Sequence, residues 1–196
     1  MSMGFRGEAL ASISEVADVT IHSFNPSDDI GSELIKSAGH GITLAKKARE
    51  KGTTILVQHL FKKVPVRFRF LKSPASEGNL ITRLIQQFSL HYPMIQFEYK
   101  NNHVPVLFSS GKGDLKVQFS EALKINMDDI LEFSKETNGV QVSGVITVPS
   151  KSYKQRSKCW FTVNGRLVKS PVFFRALDQA LADSMPKQLY PAIVCN

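Results

Sequence analysis

Two parts of the 196-residue sequence bring together residue types suited to phosphate chemistry. The first is Gly4-Phe5-Arg6-Gly7-Glu8-Ala9-Leu10. Its two glycines permit backbone conformations closed to other residues. They run into a predicted helix, whose first N–H groups and dipole attract phosphate. Arg6 would add a charge-assisted bond to a phosphate oxygen. The same residues also read as a helix-start turn, with Glu8 complementing the dipole. The spacing is neither a Walker A loop nor a Rossmann fingerprint. The second part is cationic. Phe61 to Lys72 holds Lys62, Lys63, Arg67, Arg69 and Lys72 without an acid. Thr137 to Leu177 holds Lys151, Lys154, Arg156, Lys158, Arg166, Lys169 and Arg175, again without an acid. Each run reads equally as a solvated face or as a surface for a polyanion.

The whole chain has 25 basic and 17 acidic residues, a net charge of +8. That balance favours polyanionic partners such as nucleic acid. Its 42% hydrophobic and 21% charged residues are those of a globular protein, not a disordered one. Every apolar run falls short of the roughly 20 residues of a membrane span, and no secretory leader is visible, so no membrane association is expected. Cys159 and Cys195 support neither a disulfide framework nor a four-ligand zinc site. They read as small buried apolar residues. The five histidines, His22, His40, His59, His91 and His103, have no metal-ligand spacing. No metal site is expected.

These residues need elements to position them. Glu8–Ala17 is a predicted helix with Leu10, Ile13 and Val16 on one face. Strands are predicted at Val19–Phe24 and Thr53–Leu60, and a hairpin joins Ser32–Ser37 to Ile42–Ala48 through Ala38-Gly39-His40-Gly41. Pro74 and its Ser and Gly neighbours mark a joint at Lys72–Gly78. Beyond it come a helix near Glu77–Leu90 and a hairpin of Ile95–Tyr99 with Val104–Phe108. A short helix at Asp114–Leu123 and a strand at Gly139–Val148 follow. Cys159–Val163 and Leu167–Lys169 flank the turn Asn164-Gly165-Arg166. A helix is predicted over Pro171–Met185, with Phe173, Phe174, Leu177 and Leu181 as core, then a strand over Leu189–Cys195. Trp160 and Phe161 lie among the cations, where core packing is the favoured reading and base stacking the other. The fold class is α+β, and the final order suggests helices on one face of a mixed sheet.

Read at full length, Gly4-Phe5-Arg6-Gly7-Glu8-Ala9-Leu10-Ala11-Ser12-Ile13 resembles the signature of the MutL-type DNA mismatch-repair proteins, ATPases of the GHKL superfamily. Gly52-Thr53-Thr54 is similar to the family's Gly-Thr-Thr strand. Leu60-Phe61-Lys62-Lys63-Val64-Pro65-Val66-Arg67 is similar to its Leu-Phe-x-Asn-x-Pro-Ala-Arg segment, with Lys63 for the usual asparagine and Val66 for the usual alanine. Val163-Asn164-Gly165-Arg166 resembles its Val-Asn-Gly-Arg hairpin. The likeness covers essentially the whole chain.

The resemblance implies a partial GHKL ATPase α/β sandwich over residues 1–74. A transducer domain of the ribosomal-protein-S5 domain-2-like type, incomplete at its C-terminus, would follow over 75–196. It implies ATP binding at Gly4, Arg6, Gly7, Glu8, Ala9, Leu10 and Thr53. It raises Lys151, Lys154, Arg156, Lys158, Arg166 and Lys169 as the DNA-binding set. The family's cofactors are ATP and Mg2+. Its partners are double- and single-stranded DNA, a MutS-type mismatch-recognition protein and a MutL-type dimer partner. Its role is DNA damage response through ATP-dependent dimerisation and mismatch-directed strand incision. Its location is cytoplasmic if bacterial and nuclear if eukaryotic.

The family's catalytic glutamate, magnesium-binding asparagine and phosphate-sensing lysine have no counterpart in these residues. The chain is therefore expected to be an internal fragment, inactive as an ATPase by itself and holding no cofactor alone. No catalytic residue is assigned, and Glu8 is a motif residue rather than the base. The alternative is a stand-alone basic DNA-binding module without nucleotide function.

Overall fold

A computed structural model describes residues 7–37 and 40–196, and the chain divides into two compact units, Met1–Ser73 and Pro74–Asn196. In the first unit, helix α1 (Ala9–Ser14) is followed by strands β1 (Asp18–Phe24), β2 (Ser32–Lys36), β3 (Ile42–Lys46) and β4 (Gly52–Gln58), and by a short helix α2 (Pro65–Arg69). The strands form an antiparallel sheet in the order β3-β2-β1-β4. The predicted first helix stops at Ser14 rather than Ala17. There the Ser14 hydroxyl donates back to Ala11 O at 2.8 Å, and Val16 N–H closes a tighter bond to Ile13 O. Of the predicted loop between β2 and β3, Ala38 and Gly39 lie outside the described residues. The helix at α2 was not among the elements expected from sequence. Proline at a helix's first turn loses no hydrogen bond, and it opens this one.

Strand alternation sorts the sheet's side chains. The register puts Val19, Ile21, Leu34, Ile42, Leu44, Ile55 and Val57 on one face. Only the part of that face at Val19, beside Ala17 and Ser14, is deeply buried. Leu44 is 71% exposed and Ile42 60%.

The second unit opens on α3 (Pro74–His91), which starts on its proline, three residues before the expected helix. The hairpin of β5 (Gln96–Asn101) and β6 (Val104–Ser110) turns through Asn102 and His103, both at positive φ. Such a pair suits the primed turns of two-residue hairpins. Helix α4 (Leu115–Leu123) is capped by Asp114, whose carboxylate accepts Val117 N–H at 2.9 Å. It ends with Lys124 in the left-handed conformation.

Strands β7 (Ile130–Thr137), β8 (Val140–Thr147), β9 (Ser152–Tyr153), β10 (Cys159–Val163) and β11 (Arg166–Val168), helix α5 (Pro171–Ala180), and strands β12 (Tyr190–Pro191) and β13 (Ile193–Cys195) complete the chain. The main sheet runs β11-β10-β13-β8-β7. It is mixed, with β10 and β13 parallel and the other pairs antiparallel. The last predicted strand divides at fully buried Ala192, so that β12 pairs with β9 while β13 enters the main sheet. Helix α5 ends five residues before the expected Met185.

Helices cover both faces of this sheet, not one as expected. Trp160, Val145 and Val194 point toward Leu90 of α3 and Phe119 of α4. Their neighbours in sequence, Phe161, Ile146 and Ile193, point the other way, toward Phe173, Phe174 and Leu177 of α5. Every second residue of a strand faces one side, so apolar residues at consecutive positions require cover on both. The close approach of β13 to β8 needs Gly144, where a Cβ would lie 1.9 Å from Val194 O.

Candidate nucleotide and nucleic-acid surfaces

Gly7 has a φ of +67° and leads directly into α1. A side chain there would be strained by that backbone, although a Cβ would meet nothing within 4 Å. Glu8 is the N-cap, and its carboxylate makes no cap bond. The first helical bond runs from Ser12 N–H to Glu8 O at 2.9 Å. The N–H groups of Ala9, Leu10 and Ala11 precede it and have no acceptor within the helix. Gly7 to Leu10 are all exposed. This is an open helix start with donors directed outward. Gly4 and Arg6 lie outside the described residues.

Thr53 sits on β4, opposite Ser23 of β1, and the two hydroxyls are 2.8 Å apart. By alternation both lie on the face that carries Val19, where the segment after α1 packs. Phe61 N–H donates to Val16 O at 2.8 Å, tying the end of β4 to that same segment.

The opposite face of this sheet carries an ionic cluster that sequence reasoning missed. Glu33 lies 2.6 Å from His22 Nε2 and is also paired with Lys47. The Lys47 hydrogen bond, aided by His22, holds the Glu33 carboxyl below its ordinary range. The pairing follows from cross-strand register between distant residues, which no local spacing announces.

The six cations of the expected DNA-binding set fall into two groups. Lys151 pairs with Asp129 at 3.4 Å. Arg156 pairs with Asp178 at 2.6 Å and lies over the rings of Tyr190 (4.6 Å) and Phe174 (5.3 Å). Lys158 sits 3.8 Å from the Tyr153 ring centroid. Lys154, Arg166 and Lys169 are exposed and have no ion pair among the described residues. The β10–β11 hairpin joins them to the fold. Phe161 pairs with Val168 and Val163 with Arg166, so Arg166 stands at the turn and Lys169 just beyond the edge strand's other end. Trp160 and Phe161 are buried, as core packing requires. Cys159 is buried too, and loss of solvation raises its thiol to about 12. Among the described residues no cluster of three or more His, Cys, Asp or Glu converges on a metal position, and no helix is long and apolar enough to cross a membrane.

Residues 122–196 match the family model described as DNA mismatch repair protein, C-terminal domain. The DNA mismatch repair protein MutL of Caldanaerobacter subterraneus subsp. tengcongensis is 30% identical over 193 residues, covering 98% of this chain and 33% of that protein. MutL of Clostridium beijerinckii is 33% identical over 194 residues, covering 98% and 29%. The chain thus spans about a third of the length of the relatives it matches. Among solved structures, the Aquifex aeolicus MutL ATPase domain complexed with ADP superposes with a TM-score of 0.76 at 20% identity, over 97% of this chain and 71% of that one. The 43K ATPase domain of Thermus thermophilus gyrase B, in complex with an aminocoumarin, gives 0.52 at 12% identity, over 97% and 58%. These two likenesses show a shared mixed α+β fold. Along nearly all its length the chain is thus similar in sequence to MutL-type DNA mismatch-repair proteins, and it shares the fold of a MutL ATPase domain.

Proposed function

We propose that this chain is a nucleotide- and DNA-contacting stretch of a MutL-type mismatch-repair ATPase. Residues 1–74 contribute part of the ATPase domain and residues 75–196 the transducer. The observation that carries the nucleotide half is Gly7 at positive φ, opening onto the first N–H groups of α1, which have no acceptor within the helix. Such a start takes phosphate without a side-chain base. Arg6, Gly7, Glu8, Ala9 and Leu10 would surround the ATP phosphates, with Gly4 shaping the turn and Thr53 facing the nucleotide. ATP, when bound, supplies the energy of phosphate transfer. Hydrolysis needs a positioned base and a metal to manage charge. Among the described residues no three His, Cys, Asp or Glu side chains converge to hold such a metal.

On DNA, Lys154, Arg166 and Lys169, which make no ion pair among the described residues, would contact phosphates, and Lys151, Arg156 and Lys158 flank them. In the whole protein this stretch would couple ATP-dependent dimerisation and DNA binding to strand incision. A MutS-type protein and a MutL-type dimer mate would be the partners. The stand-alone module is not favoured, since the MutL likeness runs through 98% of the chain.

The test is anisotropy of a labelled DNA duplex across a salt series. Affinity is expected to fall with salt, with a log–log slope near −0.9 per phosphate contacted. Charge reversal at Lys154, Arg166 and Lys169 should flatten that slope. Binding that ignores salt, or no binding by the folded chain at low salt, would end the DNA half of the proposal. Loss of binding to a fluorescent ATP analogue in Gly7→Val tests the nucleotide half separately.

A further inference from the structure

We propose that the free edge of β6 receives an extended, acidic segment of a partner protein as a third strand of the β5–β6 ladder. Among the described residues β6 pairs only with β5. Its far side borders a cavity of about 470 Å3. Three consecutive residues, Val106, Leu107 and Phe108, line that cavity. A strand showing one face would contribute alternate residues, so a consecutive run means that the edge itself is presented.

The ladder's phase supports this. Phe97 N–H points at β6, donating to the Ser109 hydroxyl at 3.0 Å. The Phe97–Ser109 step is therefore inward-bonding, and the next step, Glu98–Phe108, turns its N–H and C=O outward. Phe108 thus offers a main-chain donor and acceptor on the open side. No turn or loop bond among the described residues uses them. The side chains beside this edge are apolar and unburied. Val104 is 62% exposed and Phe108 58%, while intervening Leu107 is in the core. An open strand edge beside apolar side chains suits β-strand addition, in which main-chain bonds give affinity and alternate side chains give specificity.

Charge selects the partner's class. The far wall of the cavity is the end of α4 with Lys124, and Lys158 reaches in from the segment before β10. Lys124 is set by its left-handed cap, and Lys158 by the Tyr153 ring. One carboxylate, Glu121, opposes these two ammonium groups. Acidic side chains on an added strand would meet a net positive wall. A phosphate backbone fits less well. It carries no N–H and C=O pattern to match the edge.

The experiment uses the whole 196-residue protein and a fluorescein-labelled peptide of alternating Glu and Val. Anisotropy should report binding in the micromolar range at low salt, with roughly tenfold changes readable throughout. A Lys-Val peptide should not bind. Phe108→Pro removes the outward N–H and leaves the bonds to β5 intact, so it should lose at least about tenfold. Phe108→Ala should lose less, and Lys124→Glu about fivefold. If Phe108→Pro fails to fold, exchange of the Phe108 amide in the unmodified protein takes its place, and it must slow when peptide is added. Four results would overturn the proposal. They are no peptide binding at about 1 mM, equal binding by folded Phe108→Pro, displacement of the peptide by duplex DNA with Lys124→Glu weakening both equally, and self-association that Phe108→Pro abolishes. The third would assign the edge to nucleic acid and the fourth to a second copy of this chain.

Discussion

The imidazole Nε2 of His91 meets the carbonyl oxygen of Gly165 at 3.0 Å, across 74 residues of sequence. The bond ties the last turn of α3 to the β10–β11 turn that presents Arg166. Because a carbonyl accepts, Nε2 carries the proton, and buried Nδ1 is left without a hydrogen-bond partner. His91 is thereby a positioning residue for one cation of the proposed DNA surface.

His91→Ala is expected to lose about 1 kcal/mol of stability, the usual net worth of such a bond. Amide exchange at Asn164, Gly165 and Arg166 should accelerate while exchange in β8 stays unchanged. Faster exchange across the whole main sheet would mean the residue supports the core generally.

Arg156 and Lys169 are expected to behave differently although both belong to one basic run. Arg156 is held by Asp178 and by two rings, so Arg156→Ala should lower the melting temperature by a few degrees, equivalent to about 1 kcal/mol. Lys169→Ala should leave melting unchanged and reduce the DNA salt slope by about one. If Arg156→Ala changes the slope and not the melting, its ion pair is a surface accident.

The contrast shows what was legible in the sequence. A count of cations cannot tell Arg156 from Lys169, because their difference is a partner 22 residues away and a ring on another strand. Local signals did better. Asn164-Gly165 announced its hairpin, and Pro171 its helix. Strand β7 was missed because, as an exposed strand, it carries Glu132, Lys135 and Glu136 rather than a two-residue apolar period. Asn138-Gly139 was the available clue, for both residues take the positive φ of a tight turn. The cover on both faces of the main sheet was also readable, from apolar residues at consecutive positions in Cys159-Trp160-Phe161. Of the site, the glycine-rich turn was evident, whereas the His22–Glu33–Lys47 cluster depends on strand register alone.

Cys159 and Cys195 should differ toward alkylating reagents. Cys159 is buried, its S–H directed at Pro191 O at 3.3 Å, and its thiol is raised to about 12. Cys195 is raised by partial burial and lies nearer the surface. Iodoacetamide at pH 8 should modify Cys195 first, by mass spectrometry, and Cys159 only on unfolding. Stability follows the same shift. The folded-state value exceeds the unfolded one near 9, so the contribution is complete below pH 9 and fades as pH rises toward 12. The urea midpoint of the unmodified protein should fall more between pH 8 and pH 10.5 than that of Cys159→Ala. Parallel falls would remove Cys159 as the cause.

The two units should differ in solubility. Among the described residues of Met1–Ser73 only Ser14, Ala17, Val19 and Gly31 are buried, and Ile42, Leu44, Ile55 and Val57 stay exposed on one sheet face. Strands β3 and β4 are the sheet's edges, and every residue in them is exposed. Free edges beside apolar faces pair with other chains. In Pro74–Asn196, by contrast, both faces of the main sheet are covered, by α3 and α4 on one side and α5 on the other. Residues 74–196 expressed alone should therefore remain soluble at concentrations where the 196-residue chain sediments. Leu44→Lys with Ile55→Thr should rescue much of the longer chain's solubility. Equal sedimentation of the two would place the aggregating surface in the second unit, with the exposed Val104 and Phe108 stripe of β6 the next surface to charge.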